Sequence, residues 1–430
     1  MSRQSLTPSS PLPLVYFGWA HVGLALAFLV LVIDPALPGG YFLHPRMVAI
    51  VHLVTIAWIS GSILGSFYIV APLALGLPLP VGRADWLACA AFTAGTTGMV
   101  VHFWTGRYDV MAWSGVLVLS PVLWLAGRAA LGLRRASAPW PVLLHVMLAF
   151  ANMVAAALFG IALGLDRTYN LFGFPPVAAA FAHAHLAAIG WPMMMIVGLT
   201  YRLVPMFLPA KMPTGPSLAV SAVLLELGLV VVVATLLTGS AWLPTGAALI
   251  AAGLASFVTN MRAAVKHKLP RPPALPKRDW STWQTHGAMS WLLVTAGLGI
   301  VMTLPSPDAR IGMAWFYGVA GLVGFISQAV VGIQGRLVPM YAYYRAMSAL
   351  GGKPPTRAAN QLPTATFARP IFLLWTIGVP WLAWGLVTGQ RSSIRLASLV
   401  LLAGVLVSGA YLAYLMRRAG EPASRMPETS

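Results

Sequence analysis

Long apolar runs, separated by short stretches rich in proline, glycine and charge, set the rhythm of the chain. Runs long enough to cross a hydrocarbon core of ~30 Å fall at about 14–33, 47–76, 85–103, 110–133, 140–165, 177–208, 216–237, 241–265, 281–304, 311–343, 369–388 and 393–416. They predict an all-α integral membrane protein with twelve transmembrane helices in a single membrane domain over residues 1–430. The first run is preceded by one basic residue, Arg3, and followed by no small-residue cleavage site, so it reads as a retained helix and not a signal peptide.

Composition agrees with that pattern. Of 430 residues, 59% are hydrophobic and 8% charged, whereas soluble domains carry roughly a quarter charged. The placement of the basic residues then orients the helices. With twelve spans, the termini and the loops on their side hold 19 of the 27 lysines and arginines, and the opposite loops hold 6. Positive charge accumulates on the cytoplasmic side, so both termini are expected in the cytoplasm of a bacterial-type inner membrane. The net charge of +18 is then loop charge facing the cytoplasm. No nucleic-acid partner is needed to explain it.

An internal repeat is written into three of the runs. His52, Trp58, Gly65, Tyr68 and Pro72 recur as His185, Trp191, Gly198, Tyr201 and Pro205, and again as Val319, Phe325, Gly332, Gly335 and Pro339, on the same offsets. "YRLVPMF" at 201–207 and "GRLVPMY" at 335–341 make the last pair nearly literal. Shifts of 133 and 134 residues predict three pseudo-symmetric four-helix repeats, about 14–133, 140–265 and 281–416, around an axis along the membrane normal.

The candidate chemistry is histidine chemistry. Cys89 is the sole cysteine, which excludes a disulfide framework, a cysteine zinc site, an iron–sulfur cluster and a covalent c-type haem. At 1.5 Å per residue, His52, His183 and His185 lie about 8, 9 and 12 Å below the outer face, and His102 joins that layer from the third helix. Residues two apart on a helix point ~200° apart, so His183 and His185 face opposite sides and cannot easily chelate one ion. His185 shares its register with His52, so the two imidazoles could face each other across a gap.

A second group, His21, His145 and His286, lies nearer the cytoplasm. For these a hydrogen bond to a neighbouring helix is the plainer role, while His52, His183 and His185 are read as ligands because polar groups inside a bilayer are costly. Met193, Met194 and Met195 read as gap-filling packing in preference to a copper path. Glu226, the one carboxylate well inside a span, is either a proton-relay group or a structural partner.

With twelve helices, both termini inside, three four-helix units and "HAHLAAIGWPMMMIVGLTYRLVP", the chain resembles the catalytic subunit I of the haem–copper oxidase superfamily, C-type oxidases and nitric-oxide reductases above all. The resemblance implies haem, of the b type, with copper as a further metal. His183 matches the family's high-spin haem ligand, and His185 and His52 match its low-spin ligands. Arg391 and Arg395 stand in the outer loop where the family binds haem propionates, though orientation of the chain explains them equally well. In the family the His-x-His pair lies on helix 10, with copper-binding histidines on helices 6 and 7. Here helices 7 and 10 carry none, so the pair sits one repeat earlier. Under a one-unit rotation His52 and His102 would instead fall on the copper-ligand helices.

The implied function is respiratory electron transfer, or oxygen or nitric-oxide chemistry, by a haem-dependent oxidoreductase fed by cytochrome c, a cupredoxin or quinol. Two other classes stand beside it. One is a haem or copper protein without turnover, of the nitric-oxide-response NnrS type; the other is a proton-coupled transporter using Glu226 and the histidines, since parallel repeats also occur in transporters.

Overall fold

The computed structural model describes residues 8–39, 43–208, 210–267, 269–270, 279–304 and 310–421. The basic residues Arg3, Lys268, Arg271, Lys277, Arg278 and Arg425 of the charge argument, and most of the proline-rich stretch they occupy, lie outside these segments.

Eleven helices among the described residues are long and apolar enough to cross a membrane. They are α1 (Leu12–Ile33), α2 (Pro45–Leu75), α3 (Arg83–Thr105), α4 (Tyr108–Arg135), α5 (Trp140–Tyr169), α6 (Pro176–Phe207), α7 (Ser217–Thr238), α8 (Leu243–Lys266), α10 (Gly312–Ala349), α11 (Ala365–Thr388) and α12 (Arg391–Ala419). The chain is therefore an all-helical, multi-pass membrane protein whose environment is a lipid bilayer. Between α8 and α10 lies α9 (Trp280–Val301), 22 residues long. It is not apolar enough to join the eleven, because its first third carries Ser281, Thr282, Gln284, Thr285 and His286.

Neighbours in sequence pack as antiparallel pairs, with α7 on α8, α11 on α12 and α3 on α4, and α12 returns to pack along α1. The helices bearing the repeated motif, α2, α6 and α10, are the three most buried of the eleven. Side-chain hydrogen bonds join them pairwise: Trp191 Nε1 donates to Ser60 Oγ at 3.1 Å, and Gln334 Nε2 to Ser62 Oγ at 3.2 Å. Tyr317 Oη and His185 Nε2 lie 3.4 Å apart.

These three inner helices also share a backbone feature. Each contains a π-helical segment: Leu53–Ser60 in α2, Ile189–Met193 in α6 and Val319–Ser327 in α10. In α6 the cause is Pro192, which has no N–H for the helical ladder. In α2 and α10 a serine hydroxyl reaches back five residues to a backbone carbonyl, Ser60 to Thr55 at 2.9 Å and Ser327 to Leu322 at 2.7 Å. Such widened turns concentrate at functional sites.

The repeated glycine has a packing reason. A Cβ on Gly65 would lie 2.8 Å from Tyr16 Cβ of α1, on Gly198 2.3 Å from His145 Cβ of α5, and on Gly332 2.6 Å from Thr285 Oγ1 of α9. Each inner helix thus touches the helix before its own loop too closely for any side chain.

His21, His145 and His286 differ in burial. His21 and His145 are buried at 7% and 0% exposure, while His286 is exposed on the outside of α9. Both buried rings are fully bonded. Nδ1 of His21 faces Phe17 O at 2.8 Å and its Nε2 faces Ser408 Oγ at 3.2 Å. Nδ1 of His145 faces Pro141 O at 2.7 Å and its Nε2 faces Ser221 Oγ at 3.0 Å. Helix-to-helix hydrogen bonding accounts for these two.

Candidate functional site: a histidine-lined membrane cavity

Helices α2 to α6, α9 and α10 line a cavity of about 660 Å³, and the π segments of α2, α6 and α10 form part of its wall. Its wall is mostly apolar, with alanine and glycine beside larger aliphatic and aromatic side chains, and His52, His183 and His185 all line it. Its size falls within the ~300–1,000 Å³ typical of small-molecule and cofactor sites.

Helix geometry decides how the histidines present themselves. Nδ1 of His52 lies 2.8 Å from Val48 O, and Nδ1 of His185 lies 2.8 Å from Phe181 O, each one turn back on its own helix. A carbonyl accepts only, so both rings carry their proton on Nδ1 and turn an Nε2 lone pair away from the helix. Ring nitrogens locked by a backbone carbonyl in this way are what a metal-ligating histidine needs. Among the described residues His52 Nε2 has no hydrogen-bond partner, and its ring packs on Phe103 at 4.7 Å between centroids. His185 Nε2 has one among them, the Tyr317 hydroxyl, and the two rings stack 5.8 Å apart.

His183 is held differently. Its ring leans on α5, where a Cβ on Gly160 would come within 2.9 Å of its Cε1, and Phe159 meets it edge-on at 6.1 Å. Among the described residues its buried Nδ1 has no hydrogen-bond partner. The offset of two therefore does send His183 towards α5 and His185 towards α10. The cavity, however, wraps around the first half of α6, so both rings open onto the same space.

The other candidates lie elsewhere. His102 does not line the cavity, although Met99 and Phe103 on either side of it do; its Nδ1 faces Ser114 Oγ of α4 at 3.1 Å. Arg391 and Arg395 are exposed at the start of α12, away from the cavity, and Arg395 Nε donates to Val32 O of α1 at 3.1 Å. Glu226 accepts a hydrogen bond from Asn152 Nδ2 at 2.8 Å, tying α7 to α5 behind the π segment of α6, and does not line the cavity. Among the described residues no group of three or more His, Cys, Asp or Glu side chains is arranged to hold a metal ion.

Two cavity residues escaped sequence reasoning. Tyr317 stands 134 residues after His183, so the repeat register was the signal that could have found it. Arg167, at the outer rim, lies 5.9 Å above the Tyr108 ring. Only tertiary packing brings that residue to the cavity. Its neighbour Asp166 shapes the rim by accepting hydrogen bonds from the backbone N–H groups of Phe172, Gly173 and Phe174 at 2.5, 3.0 and 3.0 Å.

Fold and site together define the class: a multi-pass helical membrane protein with an apolar, histidine-lined cavity among α2 to α6, α9 and α10. No protein-family model matches the chain, and no curated protein does.

Proposed function

We propose that the chain is a membrane haem-binding protein resembling subunit I of the haem–copper oxidases, in which His52, His183 and His185 would hold the haem. One observation carries this reading: His52 and His185 each turn an Nε2 lone pair, set by a backbone bond at Nδ1, into one apolar cavity. His21 and His145 make the same Nδ1 bond, but serines satisfy their Nε2 atoms. The contrast separates ligand histidines from structural ones within a single chain. An apolar wall suits the faces of a planar macrocycle, and imidazole suits its iron. When bound, haem supplies one-electron and diatomic-gas chemistry; the protein's own part is to orient two imidazoles and to keep bulk water from the apolar wall.

The architecture belongs to the same proposal. α9 is the twelfth span, three four-helix repeats surround the cavity, and both termini lie in the cytoplasm of a bacterial-type inner membrane. The π segments shared by α2, α6 and α10 support the repeat, as do the glycine contacts to α1, α5 and α9. Electrons would come from cytochrome c, a cupredoxin or quinol. The absence of histidine from α7 and α10 favours a second reading, a haem or copper protein of the NnrS type without turnover. Oxygen- and nitric-oxide-consumption assays with an electron donor separate the two.

The test is a reduced-minus-oxidised spectrum with pyridine haemochrome quantitation on purified protein. Wild type should carry b-type haem, and His52→Ala and His185→Ala should lose most of it at unchanged protein yield. Wild-type protein with no Soret band, and with neither iron nor copper by metal analysis, sinks the proposal.

A further inference from the structure

The large cavity reaches the surface at the end of α5. Arg167 lines it and is exposed at the same time, so this residue stands at the mouth. Among the described residues that line the cavity, Arg167 is the only lysine or arginine. The dipole of α5 favours a cation in its last turn on any side of the helix. The Tyr108 ring, itself part of the wall, holds this one on the cavity side, with the guanidinium carbon 5.9 Å from the ring centroid. Among the described residues no carboxylate pairs with it: the ion pairs join Arg107 to Asp109, Arg128 to Asp85, Arg336 to Asp279 and Arg357 to Glu421. Asp166 also lines the mouth, but both its oxygens are taken by the N–H groups of Phe172, Gly173 and Phe174.

We infer that the cavity takes an amphiphilic carboxylate, its apolar body inside and its anionic end at the mouth on Arg167. An apolar wall with one unpaired cation at its rim suits a ligand of matching polarity. A guanidinium offers a carboxylate two parallel N–H bonds, shorter and stronger than neutral ones. Length narrows the class further. Gly160, against which the His183 ring leans, precedes Arg167 on the same helix by seven residues, about 10 Å of rise. A ligand that fills the space beside the histidines and also reaches the guanidinium spans roughly that distance, so an acetate-sized anion is too short. Two sources supply this chemistry: a porphyrin with carboxylates on one edge, or a long-chain fatty acid drawn from the bilayer. The inference concerns the ligand's anionic end and not a metal, so it does not rest on the histidines binding iron.

Iron-free probes test it, on full-length protein produced in haem-deficient cells and held in zwitterionic nanodiscs. Protoporphyrin IX is compared with its dimethyl ester, and palmitate with methyl palmitate. At least one acid should bind about tenfold more tightly than its ester, and added salt should narrow the gap because the mouth is exposed. Arg167→Gln should erase the preference while ester affinity and melting temperature stay unchanged, and Arg167→Lys should restore part of it. A preference confined to the porphyrin pair, or to the palmitate pair, supports the inference and identifies the source. Equal binding of acid and ester by wild type, binding of neither, or a preference that survives in Arg167→Gln overturns it. The haem reading fails separately. Wild type without a Soret band that still prefers an acid keeps the carboxylate site, whereas haem-loaded wild type without the preference loses that site alone.

Discussion

Histidine is used in two ways in this chain, and the difference lies at Nε2. All four of His21, His52, His145 and His185 bond through Nδ1 to a carbonyl one turn back. Ser408 and Ser221 close the second nitrogen of His21 and His145, whereas among the described residues that of His185 has only the Tyr317 hydroxyl within hydrogen-bond distance, at 3.4 Å. Two stability predictions follow from this. His145→Ala removes the α5–α7 bond to Ser221, whose hydroxyl keeps Leu218 O and the Tyr201 hydroxyl, and a buried ring that packs on Tyr201 at 5.6 Å, so it should cost about 1–3 kcal/mol. His286→Ala, on an exposed face, should leave stability within ~0.5 kcal/mol of wild type. Equilibrium unfolding in mixed micelles compares the two, and equal losses would contradict the assignment. At Tyr317, substitution by phenylalanine removes the one protein group at His185 Nε2 while keeping the stacked ring. Under the proposed haem reading, Tyr317→Phe should keep the haem and shift its absorption bands, and an unshifted difference spectrum would remove Tyr317 from the site.

At the scale of elements, α2, α6 and α10 are helices widened where they meet the cavity. The serine bonds at Ser60 and Ser327 stabilise two of the widened turns, and Pro192 produces the third. Ser60 also receives the Trp191 indole N–H, so it holds both its own turn and the α2–α6 contact. Ser60→Ala should therefore cost more than Ser327→Ala, about 1–3 kcal/mol against about 1 kcal/mol, and only the former should disturb the cavity's ligand spectrum. The glycine contacts are stricter. A side chain at Gly198 would put its Cβ 2.3 Å from the Cβ of His145, so Gly198→Val forces α5 and α6 apart. Overpacking of this kind typically costs about 1–3 kcal/mol or more. Loss of folded protein in size-exclusion profiles is the expected result, with Gly18→Val, where a Cβ meets nothing within 4 Å, as the tolerated control.

On the whole-molecule scale, a buried ion pair anchors the first helices. Asp85, 2% exposed, accepts from Arg128 at 2.5 Å, Tyr68 at 2.8 Å, Trp124 at 3.0 Å and, through its other oxygen, the Gly82 N–H at 2.7 Å. It joins α2, α3 and α4 in one cluster. Arg128→Ala leaves that carboxylate without its counter-charge, and breaking a buried pair by removing one partner costs about 3–5 kcal/mol. Chemical denaturation should show a loss of that order, and a loss below ~1 kcal/mol would mean the cluster is wet. The same cluster lies on the side of the membrane to which the positive-inside reading assigns both termini. A reporter fused after Ser430 should be active in the cytoplasm, and activity outside would reverse the orientation.

Much of this protein was legible in the order of its residues, for a physical reason. A bilayer demands long apolar helices and penalises misplaced charge, so hydropathy alone marked spans that agree closely with α1 to α8 and α10 to α12. The repeat registers named Gly65, Gly198 and Gly332, and the cost of a polar group in lipid singled out His52, His183 and His185. What it did not determine is which histidines share a space and which are already satisfied. His102 sits at a depth like that of His52, yet turns to Ser114; Arg391 and Arg395 stand at the start of α12, clear of the cavity; Tyr317 and Arg167 reach the cavity unannounced. Those outcomes depend on the rotation of each helix about its axis and on the widened turns of α2, α6 and α10. Both are set by contacts between residues far apart in the chain, so only the packed structure decides them.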